Sequence, residues 1–197
     1  MRSLPAIVLV ILTGLGVMWS ATDGFHALTS EQVRRLAIAA EPRPVPDVEL
    51  QDQDGRTFRL SEYRGKTLLV DFIYTRCPTL CQAMGGTFRQ LAERLPADDV
   101  TLLSISFDTA RDTREALGEY ARWHRADGSH WRLARVPNPA ALEALLDTFA
   151  VVVIPDQLGG FQHNAAVHVI DDAGRLARVL DYDERIEALA DTVAEAL

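Results

Sequence analysis

Apolar residues follow two alternating rhythms along this chain. Continuous β-branched and aromatic runs at Leu68–Tyr74 and Val100–Phe107 read as buried strands. Mixed polar and apolar spacing over 80–95, 114–123 and 139–149 reads as helices, the last capped by Asn138. His130–Ala134 predicts a short strand. Ala165–Ile170 and Arg175–Leu180 predict two strands joined by Asp171-Asp172-Ala173-Gly174, and Asp183–Leu197 a closing helix. Upstream, Val48–Leu50 and Arg56–Phe58 flank Asp54-Gly55, a strong hairpin signal. Ser61–Lys66 is a turn into the first buried strand. Val151–Ile154 is apolar, and 155–160 reads as a turn. Strand and helix alternate, then a hairpin and a helix follow, which predicts a parallel α/β core with antiparallel edge strands.

The N-terminus breaks this rhythm. Arg2 precedes an almost unbroken apolar run from Leu4 to Trp19. The run is short for a transmembrane helix and fits a signal peptide or a short signal anchor. Trp19-Ser20-Ala21 puts a bulky residue where a cleavage site wants a small one, which favours an uncleaved anchor. Arg2 then stays inside and Asp23 onward faces out, in a compartment that tolerates disulfides. Thr29–Ala40 predicts a short amphipathic helix, capped by Ser30, with Val33, Leu36, Ala37 and Ala40 on its apolar side. Glu41–Pro46, with three prolines, reads as an extended linker. The expected organisation is an anchor or signal peptide at 1–22, a juxtamembrane helix and linker at 23–46, and a folded domain at 47–197.

Composition narrows the partners. The 197 residues are 48% hydrophobic and 24% charged, which suits a globular domain. The formal net charge of -8 argues against nucleic acid and anionic membrane surfaces.

The chemistry concentrates in one stretch. Cys77 and Cys81 are the only cysteines, and both fall between the first buried strand and the helix after it. Pro78 stands where the first helical turn should begin, which places Cys77 near the N-cap and Cys81 one turn inside. Four-residue spacing puts both thiols on one face, and the helix N-terminus favours thiolate. Such a pair closes a disulfide or chelates a soft metal such as Cu(I). Two inert structural cysteines are the plain alternative, but packing alone gives no reason to place both at such a turn. Thiols at the C-terminal end of the first core strand make a thioredoxin-like fold the expectation: a central mixed sheet flanked by helices, with an N-terminal β-hairpin.

Cu(II) needs a further donor, and imidazole suits it. His26 lies outside the expected domain, and His124 and His130 read as surface residues. His163 follows Gly159-Gly160 in a loop that should pack beside the cysteine turn. His168, five residues on and inside a strand, should face the opposite way. His163 is therefore the candidate ligand. Met84 shares the helix face of Cys77 and Cys81, a spacing that reads as core.

The stretches Tyr74-Thr75-Arg76-Cys77-Pro78-Thr79-Leu80-Cys81 and Ser106–Thr113, with His163 ahead of Val167–Gly174, closely resemble the SCO/SenC family. These are membrane-anchored, thioredoxin-like copper proteins needed to assemble cytochrome c oxidase. The resemblance runs from about Val45 to Leu197. It implies Cys77, Cys81 and His163 as copper ligands for Cu(I) and Cu(II), and a copper-receiving oxidase subunit as partner. It also implies a monomeric soluble domain outside the cytoplasm, in a bacterial periplasm. The chain departs from the family pattern at Thr79, Gln82 and Gln162, where Asp, Pro and Asp are common; an acidic neighbour helps orient or charge-balance a metal site.

A second function class is a thiol-disulfide oxidoreductase, with Cys77 attacking and Cys81 resolving. A peroxiredoxin-like peroxidase ranks last, because Ile73 and Tyr74 stand where its Pro and Thr belong. A thioredoxin proper also expects a cis-proline before the late strand, where His163-Asn164 stand instead.

Overall fold

The run expected to be a central strand is fully buried. β4, Thr67–Ile73, has every residue out of solvent, as does β5, Val100–Ser106. The two pair in parallel from Thr67↔Val100 to Ile73↔Ser106. In the computed structural model, which describes residues 4–21 and 29–195, they form the middle of an eight-stranded mixed sheet. β6, Trp131–Arg135, adds in parallel beyond β5. The hairpin of β2, Glu49–Asp52, and β3, Thr57–Arg59, closes that side. On the other side β9, Val167–Ile170, runs antiparallel to β4, and β10, Arg175–Leu180, runs antiparallel to β9.

Pleat alternation decides what each face receives. Phe72 of β4 and His168 of β9 point to one face. There Phe149 of α5, Pro139–Phe149, meets both rings edge-on, with centroids 5.1 and 5.0 Å away. The opposite face carries Asp71, Ser104 and Trp131, with the Trp131 indole N–H donating to the Ser104 hydroxyl at 3.0 Å. Two helices cover that face: α3, Leu80–Arg94, through Phe88, and α4, Arg114–His124, through His124. α6, Ile186–Ala194, lies against α3.

The chain divides into two units, 1–41 and 42–197. The first holds α1, Leu4–Ala21, and α2, Ser30–Ala40. Among the described residues no helix is long and apolar enough to cross a membrane. In α2 the cap is Thr29, not Ser30: its hydroxyl accepts from the Gln32 N–H, and the Gln32 side chain returns a bond to the Thr29 N–H. Val33 and Leu36, on the expected apolar side, are 52% and 42% exposed. His26 lies outside the described residues.

The second unit corrects the linker. Arg43–Pro44 is an edge strand, β1, antiparallel to β10, and Val45 N–H donates to Gly174 C=O at 3.1 Å. Proline is tolerated there because an edge strand leaves one side unpaired. A hairpin also went unforeseen. β7, Val153–Pro155, pairs with β8, Phe161–His163, around a turn in which the Asp156 carboxylate accepts from Leu158 and Gly160 N–H. His163 therefore sits at the end of a strand, not in an open loop.

Candidate thiol and imidazole site

The C-terminal ends of β4 and β5 open onto the cysteine turn. Past Ile73 the chain bends, with Cys77 N–H donating to Tyr74 C=O at 3.2 Å. α3 starts at Leu80, later than Pro78 suggested, and its N-cap Thr79 makes no side-chain cap bond. A sulfur fills that role: Cys81 N–H donates to Cys77 Sγ at 3.2 Å. Cys77 is thus outside the helix, Cys81 is in its first turn, and both are buried free thiols. Met84 is fully buried, as its spacing predicted.

The two sulfurs are not alike. Burial pushes the Cys77 thiol up, but hydrogen bonds from the Cys81 and Thr79 backbone, and from the Cys81 and Tyr74 side chains, outweigh it. The net shift is downward. Cys81 is pushed well above the ordinary thiol range by burial, which outweighs its one favourable backbone contact; the neighbouring Cys77 and Asp71 raise it further. The two thiols therefore differ: the surroundings ease Cys77 toward thiolate and push Cys81 away from it.

His163 reaches the turn from β8. Its Nε2 stands 3.7 Å from Cys81 Sγ, and its Nδ1 lies 3.3 Å from Asn164 C=O. A proton on Nδ1 pointing at that carbonyl leaves the Nε2 lone pair facing Cys81 Sγ, the tautomer a metal ligand needs. Burial also lowers the imidazole pKa, so the ring stays neutral at pH 7. The Phe107 ring lies 5.0 Å from the His163 ring, edge-on. Tyr74 hydroxyl bonds Phe161 on both sides, donating to its C=O at 3.3 Å and accepting from its N–H at 3.4 Å. Arg76 and Arg111 both donate to Gly159 C=O, at 3.2 and 2.9 Å. Asn164 fastens the base of the hairpin, accepting from Val152 N–H and donating to Ala150 C=O.

The structure brings Cys77, Cys81 and His163 together and turns His168 away. His168 is buried between Phe72 and Phe149, with Nδ1 3.2 Å from Val70 C=O. The three converging donors do not form a closed cage: among the described residues no trio of His, Cys, Asp or Glu stands at ligating separation. Two sulfurs and a neutral imidazole nonetheless make a donor set suited to copper.

His124 corrects the sequence reading. It is buried, stacked on Tyr120 with centroids 4.3 Å apart, and bonded through Nε2 to Gln82 Oε1 at 3.1 Å. Tyr120 in turn donates to the Cys81 carbonyl. The signal was present: Leu117, Tyr120, Ala121 and His124 share one helical face. His130, also expected at the surface, is half-buried.

The SCO1/SenC sequence profile matches residues 38–197. The chain belongs to the SCO1/SenC family. The SCO1 protein homologue of Bacillus subtilis is 27% identical over 137 residues, covering 68% of this chain and 70% of that protein. The structure of Bradyrhizobium japonicum ScoI with copper bound superposes with a TM-score of 0.68 at 23% identity, covering 78% of this chain and 99% of that one. BsSco, a member of the Sco family of cytochrome c oxidase assembly proteins with a disulfide switch, superposes at 0.69 and 23% identity, covering 79% and 94%. At these identities the superpositions establish the fold, which is thioredoxin-like as expected.

Proposed function

We propose that this SCO1/SenC protein binds copper through Cys77, Cys81 and His163. It then delivers the metal to a cytochrome c oxidase subunit, or prepares that subunit's copper site. The observation that carries the reading is the approach of His163 Nε2 to within 3.7 Å of Cys81 Sγ, with Nδ1 turned to Asn164. Residues far apart in sequence supply two sulfurs and one correctly presented nitrogen, beside a third group, Tyr74, that ties the two segments together. Soft sulfur ligands select Cu(I), and the imidazole extends the set to Cu(II). Copper bound in the Bradyrhizobium relative supports the same cargo.

Segment 1–22 tethers the domain as a signal anchor, or is removed as a signal peptide, with the domain outside the cytoplasm. The large exposed apolar side chains of α1, among them Leu9, Val10 and Leu12, support a lipid-facing role. Copper analysis of the purified protein after Cu(I) and Cu(II) loading tests the proposal. One copper per chain, bound by sulfur and imidazole nitrogen in X-ray absorption, supports it; no stoichiometric copper overturns it.

A second activity, reduction of a disulfide in the partner, is favoured by the unequal thiols. Cys77 thiolate attacks one sulfur of the target disulfide and the other leaves as thiolate. Cys81, on losing its proton, then attacks Cys77 Sγ and releases the second target sulfur, so two electrons pass from the Cys77/Cys81 pair to the target. The disulfide switch of BsSco is consistent with such chemistry.

A further inference from the structure

The cysteine turn has no acidic residue of its own. Thr79, Gln82 and Gln162 occupy the positions where the family resemblance leads one to look for acids or a rigid proline. A carboxylate reaches the turn from elsewhere. Asp112, fully buried in the segment between β5 and α4, accepts three hydrogen bonds. Two come from Thr75: its backbone N–H at 2.9 Å to Oδ2, and its hydroxyl at 2.6 Å to Oδ1. The third comes from the Ser106 hydroxyl at the end of β5.

We infer that Asp112 is the positioning residue of the thiol site, fixing the Thr75–Cys77 turn so that the Cys77 sulfur is presented to Cys81 and His163. Thr75 is the second residue of the turn closed by Cys77 N–H and Tyr74 C=O. Its backbone and side chain are both taken by one carboxylate, so the turn cannot rotate about Thr75 without breaking two bonds at once. Asp112 is itself held by further bonds. Its N–H and that of Arg111 donate to Asp108 C=O at 2.9 and 3.0 Å, and the Ser106 hydroxyl also accepts from Asp108 N–H. One residue on, the Thr113 hydroxyl caps α4 by accepting from Ala116 N–H. The carboxylate thus transfers the rigidity of β5 and α4 to a turn that leaves β4. The fixed turn then sets where Cys77 Sγ stands to accept from Cys81 N–H. Nearby Asp108 does not do this: its carboxylate pairs with Arg111. Outer partners of this kind typically change metal affinity about 10- to 100-fold when removed.

The inference rests on the copper reading for one readout only; the other is made on the metal-free, reduced protein. Asp112→Ala and Asp112→Asn are compared with Ser106→Ala, which removes a bond to the same carboxylate without touching Thr75. In the metal-free proteins, Asp112→Ala should change the rate of iodoacetamide alkylation at Cys77 about tenfold. Asp112→Asn keeps an acceptor for Thr75 N–H and should fall between Asp112→Ala and the parent. Ser106→Ala, which frees the carboxylate from β5 but keeps both Thr75 bonds, should move the alkylation rate in the same direction as Asp112→Ala by a smaller factor. With copper, Asp112→Ala should weaken Cu(II) binding at least about tenfold. If Asp112→Ala does not fold, Thr75→Val, which loses only the hydroxyl bond, should move both readouts in the same direction by a smaller factor. Alkylation and copper affinity unchanged in a folded Asp112→Ala, or in Thr75→Val if the former is unfolded, overturn the inference. An altered alkylation rate in a protein that never takes up copper sustains it and overturns the copper reading instead.

Discussion

Gly85 leaves open the space that the His124 ring fills. A Cβ built on Gly85 would stand 2.5 Å from both Cε1 and Nδ1 of that ring. The ring has nowhere to retreat, because Tyr120 stacks on it and Gln82 holds its Nε2. Helix α3 thus carries a glycine in its interior so that α4 can approach behind the cysteine turn.

Gly85→Ala sets two effects against each other. Alanine is better than glycine in a helix interior by about 1 kcal/mol. Forcing a methyl into filled space costs about 1–3 kcal/mol. The net expectation is a lower urea midpoint for Gly85→Ala, with Gly86→Ala, whose Cβ meets no atom within 4 Å, as the stabilised control. A midpoint for Gly85→Ala equal to that of Gly86→Ala would refute the close packing.

Either Cys77→Ser or Cys81→Ser should abolish tight binding of both copper oxidation states, because one thiolate and one imidazole make a poor cage. Equilibrium dialysis against a competing chelator measures this. Retention of stoichiometric copper by Cys77→Ser would place the metal elsewhere.

Copper and a Cys77–Cys81 disulfide should exclude each other, since both use the same sulfurs. The oxidised protein is expected to take up little copper until reduced. In the reduced protein, iodoacetamide should modify Cys77 before Cys81, as the opposite shifts of the two thiols require. Peptide mapping after brief alkylation reads the order, and equal labelling of the two would contradict it.

The two histidines should separate. His163→Ala removes the nitrogen facing Cys81 and should damage the Cu(II) complex, seen as loss of sulfur-to-copper charge-transfer absorption, more than the Cu(I) complex. It should also impair oxidase assembly in cells. His168→Ala should leave that absorption intact and cost about 1–3 kcal/mol of stability, since it empties a site packed between Phe72 and Phe149. The reverse pattern would exchange their roles.

Asp71 gives a pH signature. It is fully buried on β4, with the Ser104 hydroxyl as a polar side-chain neighbour. Burial pushes its pKa up to about 7, a rise that the Ser104 hydroxyl opposite only moderates. The folded state therefore holds a proton that the unfolded chain releases near pH 4. Its penalty is absent below about pH 4, grows as pH rises through the window, and is complete above about pH 7. The gap between about 4 unfolded and about 7 folded corresponds to roughly 4 kcal/mol as an upper bound. Asp71→Asn should flatten the fall in stability between pH 4.5 and 8 and raise stability at pH 8, measured by urea unfolding of reduced, metal-free protein. Parallel pH curves for the two proteins would show that Asp71 carries no such charge.

The core strands and the three central helices were legible because burial leaves a direct trace in sequence. β4 and β5 are unbroken apolar runs, and Asn138 marks the start of α5. The thiols were legible because cysteine occurs nowhere else. What stayed hidden depends on distant partners. Val153–Pro155 and Phe161–His163 lack a strong strand pattern and become strands by pairing with each other around Asp156. Arg43–Pro44 is a strand only because β10 lies beside it. The unequal thiols follow from burial under a folded helix, which four-residue spacing does not report. The role of Asp112 depends on a loop meeting a turn 37 residues earlier.

The edge strand β1 has one more consequence. Val45 N–H points inward to Gly174. Within the strand, alternation therefore turns the nitrogen of Pro44 outward, and proline has no N–H there; Pro42 and Pro46 flank it. The free rim of the sheet there offers carbonyls but no N–H donors, so a second chain seeking to add a strand meets only half a ladder. The prolines that made this stretch look like a linker guard the sheet against growth from that end.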